Sequence, residues 1–129
     1  MMILGLMLLL IVGCNQESLE ERAQREFQEF TRKNCPKDQG NNVILDSLVF
    51  DKSSRTLIEY SRVTNECDDE EFIRSKKASL DEGSIQLTRQ EVSYKRLRDA
   101  GFSFRFILRS HSSGKVLYDK TVTKDDYGY

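Results

Sequence analysis

Residues 102–109 constrain the fold of this chain more than any other stretch. They read FSFRFILR, with Phe102, Phe104, Phe106 and Leu108 alternating with Ser103, Arg105, Ile107 and Arg109. Successive side chains of a strand point to opposite faces, so this spacing predicts a strand with an aromatic row on one face. Such a row has to be covered, and a lone strand has nothing to cover it with. The chain must therefore supply both neighbouring strands and a helical layer. His111–Lys115 turns the chain, and Val116–Thr123 is expected to return beside the aromatic strand as a hairpin.

The cover is expected from residues 18–33. Ser18 and Glu21 have the spacing of a capping box, and Glu20 and Glu21 suit the positive end of a helix dipole. Leu19, Ala23, Phe27 and Phe30 recur at helical spacing, a narrow stripe that matches the aromatic row. Pro36 biases Cys35 away from helical geometry, which ends the helix near Lys33. Residues 37–42 (KDQGNN) read as a loop. Val43–Phe50 and Thr56–Thr64 are β-like and are separated by five turn-forming residues, which predicts a second hairpin. In its second strand Ile58 and Tyr60 share one face, with Leu57, Glu59 and Ser61 on the other.

Asp68–Glu71 is better suited to opening a helix than to holding a metal, because a calcium loop needs alternating ligands and a glycine turn. A helix is expected down to about Glu82, with Gly83 as its stop, and another from Thr88 towards Gly101. The element order is then helix–hairpin–helices–hairpin. It predicts an α+β fold with a four-stranded antiparallel sheet and helices packed on one face. The polar tail, 124–129, is expected to fray.

Ile3–Cys14 is an uncharged apolar run that stops at a cysteine. It is too short to span a bilayer and fits the h-region of a secretory signal. Its end, Ile11-Val12-Gly13-Cys14, resembles the lipobox of bacterial lipoproteins, although Ile replaces the usual Leu and no basic residue precedes the run. The resemblance implies a signal peptide over 1–13 and a diacylglyceryl group on Cys14. Residues 14–17 would form a short tether, 18–123 a single domain and 124–129 the tail. Two acyl chains suffice for stable anchoring, and so short a tether would hold the domain against the membrane.

Further along, Asn34-Cys35-Pro36, a hairpin, and Leu97, Gly101 and Phe104 entering a strand resemble small lipoproteins of the Bacteroidetes type. That resemblance implies a location in the cell envelope, on the periplasmic face or the cell surface. It implies a fold, and no activity.

Cys35 and Cys67 remain as an even pair in an exported chain. Cys35 precedes the first hairpin and Cys67 follows it, which would bring both to one open end. A disulfide there would close a loop of about 30 residues and stabilise the domain by roughly 3–4 kcal/mol. The alternative is two separate thiols buried as small hydrophobes.

The sequence shows no catalytic set. Its one histidine, His111, falls in a turn beside Ser112 and Ser113, where adjacent side chains rarely aim at one another. No Cys-x-x-Cys pair and no phosphate-binding glycine loop occur, so neither a metal nor a cofactor is expected. The 20 basic and 21 acidic residues leave no basic excess for a nucleic-acid interface.

The reading that follows is a non-enzymatic, lipid-anchored binding or assembly module. It would meet an envelope protein or glycan through the open sheet face at Arg105, Ile107 and Arg109, or through a sheet edge. The alternatives are a small envelope enzyme or ligand carrier with a pocket between helices and sheet, and an inhibitor or immunity-type protein.

Overall fold

The computed structural model describes residues 16–128. The expected signal peptide over 1–13 and the expected lipidation site at Cys14 lie outside the described residues. Helix α1, Leu19–Asn34, opens as its sequence predicts: the Ser18 hydroxyl oxygen accepts from the Glu21 backbone N–H at 3.1 Å. It ends where Cys35 turns extended ahead of Pro36, and it buries Ala23 and Phe27.

Five strands follow: β1 Lys37–Asp38, β2 Val43–Asp51, β3 Thr56–Val63, β4 Ser103–Ser110 and β5 Val116–Val122. They form one sheet in the order β1-β2-β3-β4-β5. This corrects the four-stranded antiparallel expectation in two ways. The stretch KDQGNN, expected as a loop, begins with a short strand, Lys37 lying opposite Leu45. It then turns through Gly40, Asn41 and Asn42, all at positive φ, a region that Gly and Asn enter at least cost. The second correction concerns direction: β4 runs parallel to β3, with Thr56 opposite Ser103 and Val63 opposite Ser110. A parallel pair needs a long crossover, and residues 64–102 provide one built of helices.

That crossover contains α2 (Glu70–Ser75), α3 (Lys77–Gln90) and α4 (Lys95–Asp99), with single 3₁₀ turns at Asn65–Cys67 and Val92–Tyr94. Asp69 caps α2 by accepting from Phe72 N–H at 3.0 Å, the structural role expected of the acidic run. Gly83 does not stop a helix; α3 runs through it to Gln90. Thr88 does not open one either. Its hydroxyl donates to the Ser84 carbonyl at 2.8 Å inside α3.

The aromatic row faces the helical layer, but its cover is not the α1 stripe expected: α1 lies over β2, and Tyr94 and Tyr127 lie on Phe104. Phe104, 1% exposed, is the centre of the core. Tyr94 stacks on it at 5.2 Å, and Phe27 of α1 meets Tyr94 edge-on at 6.1 Å. The expected tail is instead a short helix, α5 (Lys124–Tyr127), with Tyr127 only 3% exposed. The Tyr127 hydroxyl donates to the Phe102 carbonyl at 2.7 Å, and its ring lies edge-on to Phe104.

Strand β2 hides its inner face in sequence because it carries a bulge between Leu45 and Ser47. The bulge resets the alternation, so Val43 and Leu45 before it and Leu48 and Phe50 after it share the covered face. Helix α1 lies over β2, whereas α2 and α3 lie over β5. The two covers do not meet along the full width of the sheet.

Candidate functional site

Between those covers runs a groove of about 980 Å³, open to solvent. One bank is the C-terminal half of α1, with Glu26, Phe27 and Phe30. The floor is sheet: Val43, Leu45 and Leu48 from β2, and Glu59 from β3. The other bank is Leu87, at the end of α3, and residues 91–96. The turn at 39–41 borders one end. The bank after α3 is held by Arg98, whose guanidinium donates to the carbonyls of Thr88 at 2.8 Å and Glu91 at 2.6 Å. That grip presents Val92, 82% exposed, at the lip of the groove, with Leu87 also exposed beside it. Val92 and Leu87 together add exposed apolar surface to the rim of a groove, which favours a contact surface more than a lone exposed residue would.

Glu59 is the charged group of the floor. Leu48 lies opposite it on β2, and its carboxylate accepts a hydrogen bond from the Tyr94 hydroxyl at 3.2 Å. Burial pushes the Glu59 carboxyl up from the ordinary range, and the nearby charge of Glu91 pushes it the same way; the Tyr94 bond opposes both. Burial, together with the Glu59 charge, also pushes the Tyr94 phenol up. At the rim Arg96 reaches across to Glu26 at 2.6 Å, and Arg22 holds the same carboxylate at 2.8 Å.

The residues singled out in sequence lie elsewhere. Arg105, Ile107 and Arg109 share the outer sheet face. Arg105 is bidentate on Asp119, at 2.9 and 2.6 Å, and Ile107 is only 5% exposed. Arg109 is exposed and donates to the Gly114 carbonyl. Asp46 and Arg62 pair on the same face at 2.8 Å, so much of it is a lattice of paired charges. His111 faces Arg62, with Nδ1 2.9 Å from Nη1, and does not meet Ser112 or Ser113. It is Ser110 that meets Ser112, while the Asp68 carboxylate accepts from the Ser110 hydroxyl and the Ser112 N–H.

Cys35 and Cys67 are free, half-buried thiols that pack against the core. The expected bridge is not formed in the structure. Cys67 rests against Asn41 and Asn42, where β2 begins. Cys35 lies just before Lys37, which pairs with Leu45, and it feels the charge of Asp46. The thiols thus sit at different levels of β2, and a disulfide tolerates little separation.

Among the described residues no three His, Cys, Asp or Glu side chains are grouped to hold a metal ion, and no helix is long and apolar enough to cross a membrane. Glu59 was missed in sequence. Its signal was a lone carboxylate between Leu57, Ser61 and Val63 on one face of a strand.

Three solved structures share this architecture. One is a Pseudomonas aeruginosa protein described as secreted, 11% identical, with a TM-score of 0.67, covering 87% of this chain and 99% of that one. Another is a pilotin from the Vibrio vulnificus type 2 secretion system, 14% identical, TM-score 0.63, covering 86% and 93%. The third is a type II secretion system pilotin from Vibrio cholerae, 17% identical, TM-score 0.60, covering 84% and 91%. At these identities the likeness is one of fold. No curated protein matches the chain. Residues 18–118 do match a family, and the chain belongs to it: the family described as Domain of unknown function (DUF8479).

Proposed function

We propose that this chain is a lipid-anchored, non-enzymatic assembly module of the cell envelope, which holds a segment of a partner protein in the groove between α1 and the α3–α4 connection. The observation that carries the reading is the groove itself: an apolar floor, with Val92 and Leu87 exposed on one bank. The fold supports it, since two of the structures sharing it are pilotins of type II secretion systems. The box ending at Cys14 supports the anchor. The groove is a better contact surface than the outer sheet face, where Arg105 already has a partner and Ile107 is covered.

The test is made on the full-length chain in the membrane of a bacterial host. Intact mass should match residues 14–129 plus acyl chains. A photo-cross-linker at Val92 should capture one stoichiometric partner. A cross-linker at Val116, an exposed apolar position on β5, should not. An unprocessed chain would remove the anchor, and equal capture from both positions would remove the groove.

A further inference from the structure

The floor of the groove carries a charge that its own fold leaves without an ionic partner. Glu59 receives the Tyr94 hydroxyl, and no ion pair among the described residues includes it. The cations lining the groove are engaged elsewhere or lie apart from it. Lys95 holds Asp99 at 2.7 Å and Arg96 holds Glu26 at 2.6 Å. Lys37 stands on β1, opposite Leu45 and separated from Glu59 on β3 by strand β2. The other charge acting on Glu59, that of Glu91, is also negative. Glu59 is half-buried beside apolar groups, and a cation arriving through the open groove would offset part of the cost of its charge.

The backbone of the floor decides what form the occupant takes. Leu48 and Glu59 are paired across β2 and β3, so the floor offers side chains and no free strand edge. The outward backbone groups of Leu48 are also taken: the Thr31 hydroxyl donates to its carbonyl and accepts from its N–H, both at 3.0 Å. A segment lying in this apolar trough has to satisfy its own backbone hydrogen bonds, which a helix does.

We infer that the groove selects an amphipathic helix whose apolar stripe is interrupted by one Lys or Arg that reaches Glu59. This rests on the proposed function and adds the chemistry of the partner. The occupant's stripe would lie against the part-exposed Phe30 and Val43, over the buried Leu45 and Leu48, with Val92 and Leu87 closing over it. Its single cation would reach Glu59 from the open side of the groove. A charge-assisted bond to a half-buried carboxylate gives selectivity as well as affinity.

The test is a displayed library of 16-residue helical peptides with a fixed apolar stripe and one fully randomised position at its centre. It is selected against the full-length chain in detergent micelles. Binding of enriched peptides is then measured by fluorescence anisotropy on the native chain, Glu59→Gln and Val92→Asp. Lys or Arg should be enriched at the randomised position on the native chain. Glu59→Gln should weaken the basic peptides by roughly tenfold or more and shift selection to apolar residues there. Val92→Asp should abolish binding of all of them. Peptides that need Val92 but show no basic preference, or keep it on Glu59→Gln, would overturn this inference and leave the groove standing. No peptide whose capture depends on Val92 would overturn both.

Discussion

Glu59 sits in an apolar floor with a tyrosine hydroxyl for company, and the cost of that position depends on pH. Burial holds its folded-state pKa above the value in the unfolded chain. The folded protein therefore binds more protons than the unfolded one across that window, and stability falls as pH rises through it. Gln cannot ionise and keeps a carbonyl oxygen for the Tyr94 hydroxyl. The melting temperature of Glu59→Gln should match the native chain below the ordinary carboxylate range. It should then exceed it progressively as pH rises through and above that range. A constant difference at all pH values would show that Glu59 is not desolvated in the fold. This residue was only half legible in sequence. The alternation placed Glu59 with Leu57 and Ser61, and that is where it lies. Nothing in the pattern told which face of β3 was covered, because Ile58 and Tyr60 made the other face equally apolar. The cysteines show the same limit from the other side. Their pairing was expected from hairpin geometry, which did not foresee that Lys37 and Asp38, just after Cys35, form a strand beside β2. Both thiols should alkylate in the folded chain without reductant, Cys35 slowly because burial pushes its thiol up. Mass spectrometry that finds no alkylation until reductant is added would restore the bridge.

The elements with strong local signals formed where expected. α1 has its cap, its stripe and its stop in its own residues, and the aromatic strand has its alternation. The elements that changed were those decided by distant partners. Whether a strand pairs parallel or antiparallel is not written in its own sequence; it depends on whether residues 64–102 cross over the sheet or turn back. The tail is the clearest case. Residues 124–129 are polar, yet Thr123 and Asp126 form a capping box that starts α5, and α5 brings Tyr127 to the core. Tyr127 then fills space beside Phe104 and satisfies the Phe102 carbonyl. Tyr127→Ala should therefore cost about 3–5 kcal/mol, as for other buried aromatics, whereas Tyr127→Phe should cost only about 1 kcal/mol for the lost hydrogen bond. Chemical denaturation of both variants checks the pair of values. Equal, small costs would mean that the tail frays in solution.

At the scale of the whole molecule, core and groove are one structure seen from two sides. Two covers lie on one sheet, α1 over β2 and the crossover helices over β5, and aromatic ring contacts link α1 to the sheet between them. Phe27, Tyr94 and Phe104 form a continuous row of ring contacts from α1 to β4. The hydroxyl of the middle ring also meets Glu59 on the neighbouring strand β3. A change at Phe104 should be felt through Tyr94 at the bank of the groove. Phe104→Leu keeps an apolar side chain of similar size and should cost about 1–3 kcal/mol, part of it the lost stack on Tyr94. That leaves a folded protein whose Tyr94 ring has lost its platform. Hydrogen exchange of residues 91–96 should then accelerate relative to the centre of β4, and peptides selected on the native groove should bind less tightly. If exchange rises evenly over the whole chain, the substitution has only lowered global stability. A rise confined to the bank of the groove would mean that the aromatic row sets the shape of the binding surface, so that the core of this fold is also the support of its site.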